Sequence, residues 1–92
     1  MIKSFKNRDL ETLFFEGKTK RIPPKHTERI GMILDLLNAA AVPSDMNFPG
    51  SKFHPLKGDR KGQYAVEVSG NWRIVFKFEA SDIYEVDYID YH

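Results

Sequence analysis

The hydrophobic pattern of this 92-residue chain changes halfway along, from helical spacing to alternation. Leu10, Leu13 and Phe14 share one face of a short helix, with Asp9 as the expected N-cap and Gly17 as the stop. Before it, residues 2–6 read as a short opening strand. A basic connection over residues 18–22 leads to Pro23 and Pro24, which forbid helix behind them and suit the first turn of a helix ahead. That second helix carries Ile30, Ile33, Leu34 and Leu37 at i, i+3, i+4, i+7, the stripe of a helix lying on a sheet, and runs to about Ala41. Pro43, Asp45, Asn47, Pro49 and Gly50 make residues 42–51 a loop.

From Lys52 onward the chain reads as an antiparallel meander. Tyr64, Val66 and Val68 fall on one face, with Ala65 and Glu67 on the other. After a turn at Ser69, Gly70 and Asn71, the next strand sets Trp72, Ile74, Phe76 and Phe78 against Arg73, Val75, Lys77 and Glu79. Ala80, Ser81 and Asp82 form a second tight turn, and residues 83–91 return as the last strand, with Tyr84, Val86 and Tyr88 expected inward. The whole predicts one α+β domain over residues 1–92: a short N-terminal strand, two helices, then an antiparallel sheet of three to four strands with the helices packed on one face. Arg73 and Lys77 then stand on the face left open.

Apolar residues, 41% of the chain, supply a core and exclude a disordered class. The net charge of +1 names no partner, but its distribution is uneven. All fourteen Lys and Arg lie between Lys3 and Lys77, where they exceed the acids by six, and from Glu79 on there are five acids and no base. Such a basic stretch predicts attraction to nucleic-acid phosphates that weakens as salt rises. The absence of cysteine excludes disulfides, a thiolate nucleophile and sulfur-ligated zinc, and fits a reducing cytoplasm. No apolar run is long enough to span a membrane. His26, His54 and His92 are too scattered for a helical metal pair, and no acidic calcium loop is present, so no metal or other cofactor is expected. The GDRKG run at residues 58–62 is a turn rather than a phosphate-binding loop, and no G-x-S-x-G elbow occurs.

Two groups of residues remain as candidate chemistry: the cations Lys52, His54, Lys57, Arg60, Lys61, Arg73 and Lys77, and the terminal run Ile89, Asp90, Tyr91, His92. The expected strand pairing brings the end of the last strand toward the sheet edge where His54 stands. RNA scission without a metal requires a base for the ribose 2′-hydroxyl, an acid for the leaving oxygen and cations for the growing charge. His54 and His92 titrate near neutrality and suit the proton transfers. Lys57 and Arg73 suit the phosphate, Arg as a bidentate fork and Lys as a point charge. Tyr91 suits stacking on an unpaired base. Each also has an ordinary structural reading: a loop histidine at His54, a frayed terminus at His92, core tyrosines, a solvated turn at Lys57, Arg60 and Lys61, and a surface or capping role for His26. The residues alone therefore read as a small α+β domain with RNA binding as one alternative.

The runs HPLKGDR at residues 54–60, GNWRIVF at 70–76 and the ending DYIDYH at 87–92, with MIKSF at the start and the GKT turn at 17–19, together resemble the HigB toxins of bacterial toxin–antitoxin systems, within the RelE/ParE superfamily. The resemblance covers essentially the whole chain. It implies a RelE-like fold and a ribosome-dependent mRNA endonuclease that cuts the codon in the decoding site. It implies catalytic positions at His54, Asp90, Tyr91 and His92, with Lys57 and Arg73 contacting phosphate or ribosome and Arg60 and Lys61 as further RNA contacts. It implies as partners a HigA-type helix-turn-helix antitoxin, the 70S ribosome with its 16S rRNA, and mRNA. Within that picture His92, beside Asp90 and its own carboxylate, suits the general acid, which leaves His54 the base. The ParE side of the superfamily offers a different outcome on the same fold, inhibition of DNA gyrase by protein contact, and a toxin that has lost activity is a third.

Overall fold

The computed structural model of the protein describes residues 1–91. Two helices come first, α1 (Arg8–Glu16) and α2 (Pro24–Ala39), followed by four strands, β1 (His54–Pro55), β2 (Gln63–Ser69), β3 (Trp72–Glu79) and β4 (Asp82–Asp90). The strands pair antiparallel in the order β1-β2-β3-β4, so each hairpin partner is the next strand in sequence. The fold is the expected α+β arrangement. Its opening segment is not a full strand: Ile2 and Phe5 make isolated parallel bridges to Ile83 and Val86, which cover the outer edge of β4.

The helix boundaries follow local chemistry. The cap of α1 is Asn7, not Asp9: its side chain accepts a hydrogen bond from the Leu10 amide, which places Asp9 inside the first turn, where an acid favours the helix dipole. Gly17 closes the helix at φ 76, in the left-handed region open to glycine. Pro24 opens α2 as expected. Ile30, Ile33, Leu34 and Leu37 are fully buried against Val66, Ile74, Phe76, Ile83 and Val86. Removing any one of these aliphatic side chains to alanine costs about 2–5 kcal/mol. The loop after α2 contains a short 3₁₀ turn, Pro43–Met46, that sends Met46 into this core.

The last strand departs from simple alternation. Val75 pairs with Asp87, but Lys77 pairs with Tyr84, because a bulge at this point adds one residue to β4 and Glu85 adopts φ 53. Ile83, Val86 and Tyr88 therefore pack on the core, while Tyr84 turns to the other face beside Lys77. The expectation that Tyr84 points inward fails for that reason. The bulge is held from outside: the Glu85 amide donates to the Ser4 hydroxyl and the Val86 amide to the Ser4 carbonyl.

Candidate functional site

Both helices lie on one side of the sheet, so the opposite face carries the side chains that alternate with the core. Cross-strand partners share a face, and the register places His54, Ala65, Val75 and Asp87 in one row. Glu67, Arg73 and Ile89 form the next row, and Gln63, Lys77 and Tyr84 the row on the other side. Ala65 and Val75 are buried without joining the core cluster, so they form the apolar floor of this helix-free face. His54 stands above that floor with cations on both sides along the strands.

His54 is half-buried, and its Nδ1 lies 2.9 Å from the Lys52 carbonyl. A carbonyl oxygen only accepts, so Nδ1 carries the proton and Nε2 of the neutral ring keeps its lone pair. Arg73 donates through Nη1 to the carbonyls of Gly70 (2.6 Å) and Trp72 (3.0 Å), which turns its guanidinium toward the β2–β3 hairpin. The Tyr91 amide donates to the Asn71 carbonyl at the same hairpin, so Arg73 and Tyr91 are both anchored at one end of the sheet. Lys57 and Lys61 are exposed at the opposite end, around a hollow of about 490 Å³ lined also by Leu56, Gln63 and Tyr64. Arg60 reaches the Gln63 side chain at 3.5 Å there.

The meander separates residues that the sequence reading drew together. His54 is on β1 and Asp90 on β4, the two outer strands of a four-stranded sheet. Three strand spacings across and three residues along put their backbones on the order of 17 Å apart. They border one sheet from opposite edges instead of meeting at a shared edge, because consecutive pairing leaves the first and last strands outermost. Asp90 pairs with Trp72 and so belongs to the side of Tyr88, not to the row of His54. His92, the expected acid, lies outside the described residues.

The sequence reading missed His26. It is not a surface or capping residue: it is 3% exposed, and its Nδ1 lies 2.6 Å from the Tyr88 hydroxyl. Trp72 stacks on Tyr88 at 4.5 Å between ring centroids, and the His26 ring meets both edge-on. Burial, with the Lys25 charge second, holds the His26 pKa below the ordinary value. Burial, with Asp90 second, pushes the Tyr88 phenol up. This cluster joins the start of α2 to the end of β4, beneath the strand that leads to Asp90.

Comparison with known proteins defines the class. A family model described as a RelE-like toxin of the type II toxin–antitoxin system HigB matches residues 3–92. The protein is thus a RelE-like toxin, one half of a toxin–antitoxin pair whose other member is an antitoxin. The chain is 42% identical over 92 residues to "Endoribonuclease HigB" of Proteus vulgaris, covering all of both chains. It is 31% identical over 80 residues to "Toxin HigB-1" of Vibrio cholerae serotype O1 (strain ATCC 39315 / El Tor Inaba N16961), covering 85% of this chain and 84% of the other. Within the RelE-like class it belongs to the HigB-like toxin family. The fold is shared with a chain of the YoeB–YefM complex from Staphylococcus aureus, at TM-score 0.62 and 19% identity, over all of this chain and 95% of that one.

Proposed function

We propose that this toxin is an endoribonuclease that cuts mRNA in the ribosomal A site, with RNA lying across the helix-free face. One observation carries the reading: His54, with Nε2 left as a proton acceptor, stands on the same face of the sheet as Arg73, two strands across and one row along. The chemistry follows from those groups. His54 Nε2 takes the proton of a ribose 2′-hydroxyl, and that oxygen attacks the adjacent phosphorus. The P–O5′ bond breaks, the leaving oxygen takes a proton from the acid, and a 2′,3′-cyclic phosphate remains. Arg73 opposes the charge that grows on the phosphate, and Lys57, Lys61 and Arg60 hold the backbone farther along. Tyr91 stacks on a base at the Arg73 end. His92 is assigned as the acid, with Asp90 favouring its charged form.

The partners follow the same reading: a HigA-type helix-turn-helix antitoxin, and the ribosome with its 16S rRNA, met in the cytoplasm. The test is to map RNA 5′ ends after adding the purified protein to translating ribosomes, with free mRNA as control. New ends confined to ribosome-bound message are the expected result. Intact message together with gyrase-dependent DNA breaks would replace the nuclease by an inhibitor of DNA gyrase, and intact message without breaks would leave a binding protein.

A further inference from the structure

The loop that precedes β1 is built in more detail than a connection requires. Lys52 holds φ 48, a left-handed conformation that costs a non-glycine residue of this kind on the order of 1 kcal/mol or more and persists only where surroundings enforce it. The Glu67 amide donates to the Ser51 carbonyl at 2.7 Å, and Ser51 is fully buried. The Ser51 hydroxyl accepts from the Phe53 amide at 3.3 Å. Arg29 of α2 donates through Nε and Nη2 to the Glu67 carbonyl, and through Nη2 to the Gly50 carbonyl at 3.0 Å. The Lys52 ammonium pairs with the Glu67 carboxylate at 3.2 Å. Glu67 thus grips the loop by its amide, its carbonyl and its side chain at once. The product of this bracing is the placement of one atom, the Lys52 carbonyl oxygen, 2.9 Å from His54 Nδ1.

We propose that Lys52 and Glu67 are positioning residues whose ion pair holds the Lys52 carbonyl against His54 Nδ1, locking the imidazole in the Nδ1–H tautomer with Nε2 as the proton acceptor. This rests on the reading of His54 as the base. An unrestrained neutral imidazole favours the opposite tautomer, in which Nε2 carries the proton and accepts nothing. A surface ion pair contributes little to stability, so its use here is geometric.

The experiment reads the tautomer directly. The intact protein is labelled with ¹⁵N in its histidine rings and recorded at a pH of about 8, above the ordinary histidine pKa. The His54 signals are assigned by their loss in His54→Gln. The expected spectrum shows a protonated-type Nδ1 and an unprotonated-type Nε2 at His54. In Lys52→Met and Glu67→Gln the signals move toward the Nε2–H form. Cleavage on ribosomes then loses about threefold to tenfold in kcat with KM held, short of the ~10² to 10⁴ expected for losing the imidazole itself. Lys52→Arg, which keeps the pair, restores both readouts. Lys52 is the exposed partner, so Lys52→Met serves where Glu67→Gln fails to fold. An Nε2–H signal in the unsubstituted protein overturns the proposal, as does an unchanged tautomer in Lys52→Met, whatever happens to the rate. The tautomer is read without RNA, so a protein that locks His54 but cuts nothing would overturn the nuclease reading and leave this lock standing.

Discussion

Two histidines on opposite faces of the sheet show how environment divides one residue type into two roles. His26 lies on the helix-covered side, 3% exposed, with a phenol as partner and aromatic rings around it. His54 lies on the helix-free side, half-buried, with a backbone carbonyl as partner and a floor of Ala65 and Val75 beside it. A buried ring bound to a half-buried hydroxyl resists charging and ties two elements together. A ring whose one nitrogen is fixed by a carbonyl presents the other nitrogen to whatever enters the face. The first geometry makes a joint, and the second suits the base of the proposed cleavage.

Removing the proposed base gives the largest expected effect. His54→Gln keeps a polar side chain of similar size but loses the proton acceptor, so cleavage on ribosomes should fall by about 10² to 10⁴. The thermal midpoint should fall by only a few degrees, since the change removes one hydrogen bond from a half-buried side chain, about 1 kcal/mol, and opens no cavity in the core. Primer extension on ribosome-bound message measures the first and a melting curve the second. A variant that cuts at the normal rate would remove the distinction between the two histidines.

His26→Ala should do the reverse. Truncating a buried aromatic ring leaves a cavity and strands the Tyr88 hydroxyl, at a cost of about 2–4 kcal/mol in unfolding free energy. Urea unfolding measures it. Cleavage per folded molecule should hold near the unsubstituted level at low temperature. A selective loss of cleavage in a fully folded His26→Ala protein would show that the joint under β4 also sets the position of Asp90.

The sequence reveals one histidine's role more readily than the other's. Period-2 alternation over β2 and β3 placed Arg73 and Lys77 on the open face correctly, because both strands are regular through most of their length. It misplaced Tyr84, because the extra residue at Glu85 shifts the phase and a left-handed glutamate has no signature in the pattern. His26 was unreadable, since its partner is 62 residues away and a histidine in the first turn of a helix looks the same capping or buried. The brace on His54 was equally hidden: it runs through the backbone carbonyls of Gly50, Ser51, Lys52 and Glu67, and carbonyls are common to every residue. Local pattern carries the elements. Long-range partners and backbone acceptors decide what the histidines do.

Tyr88→Phe sharpens the contrast with a smaller change. The ring still stacks on Trp72, and only the hydroxyl opposite His26 Nδ1 is lost. A buried ring nitrogen left without its partner costs about 1–3 kcal/mol. In a double-mutant cycle with His26→Ala, the two losses should fall short of adding by a measurable interaction energy. Strict additivity would mean that the 2.6 Å contact contributes nothing in solution.

The smallest effect is a pH dependence that belongs to His26. Burial, and then Lys25, depress its pKa in the folded state, so the unfolded chain binds a proton more readily than the folded one does. Stability from this group is complete above the ordinary histidine pKa of about 6.5 and is lost as pH falls from there through the depressed folded value. The slope cannot exceed about 1.4 kcal/mol per pH unit for one proton. Carboxylates add their own acid dependence lower down, so the comparison is made between the unsubstituted protein and His26→Gln over pH 5 to 7 by urea unfolding. The glutamine has no proton to gain, and its curve should be flatter in that window. Parallel curves would show that His26 takes up its proton as easily folded as unfolded, and would place the Tyr88 phenol and the Trp72 ring around it in a more open arrangement than the one described.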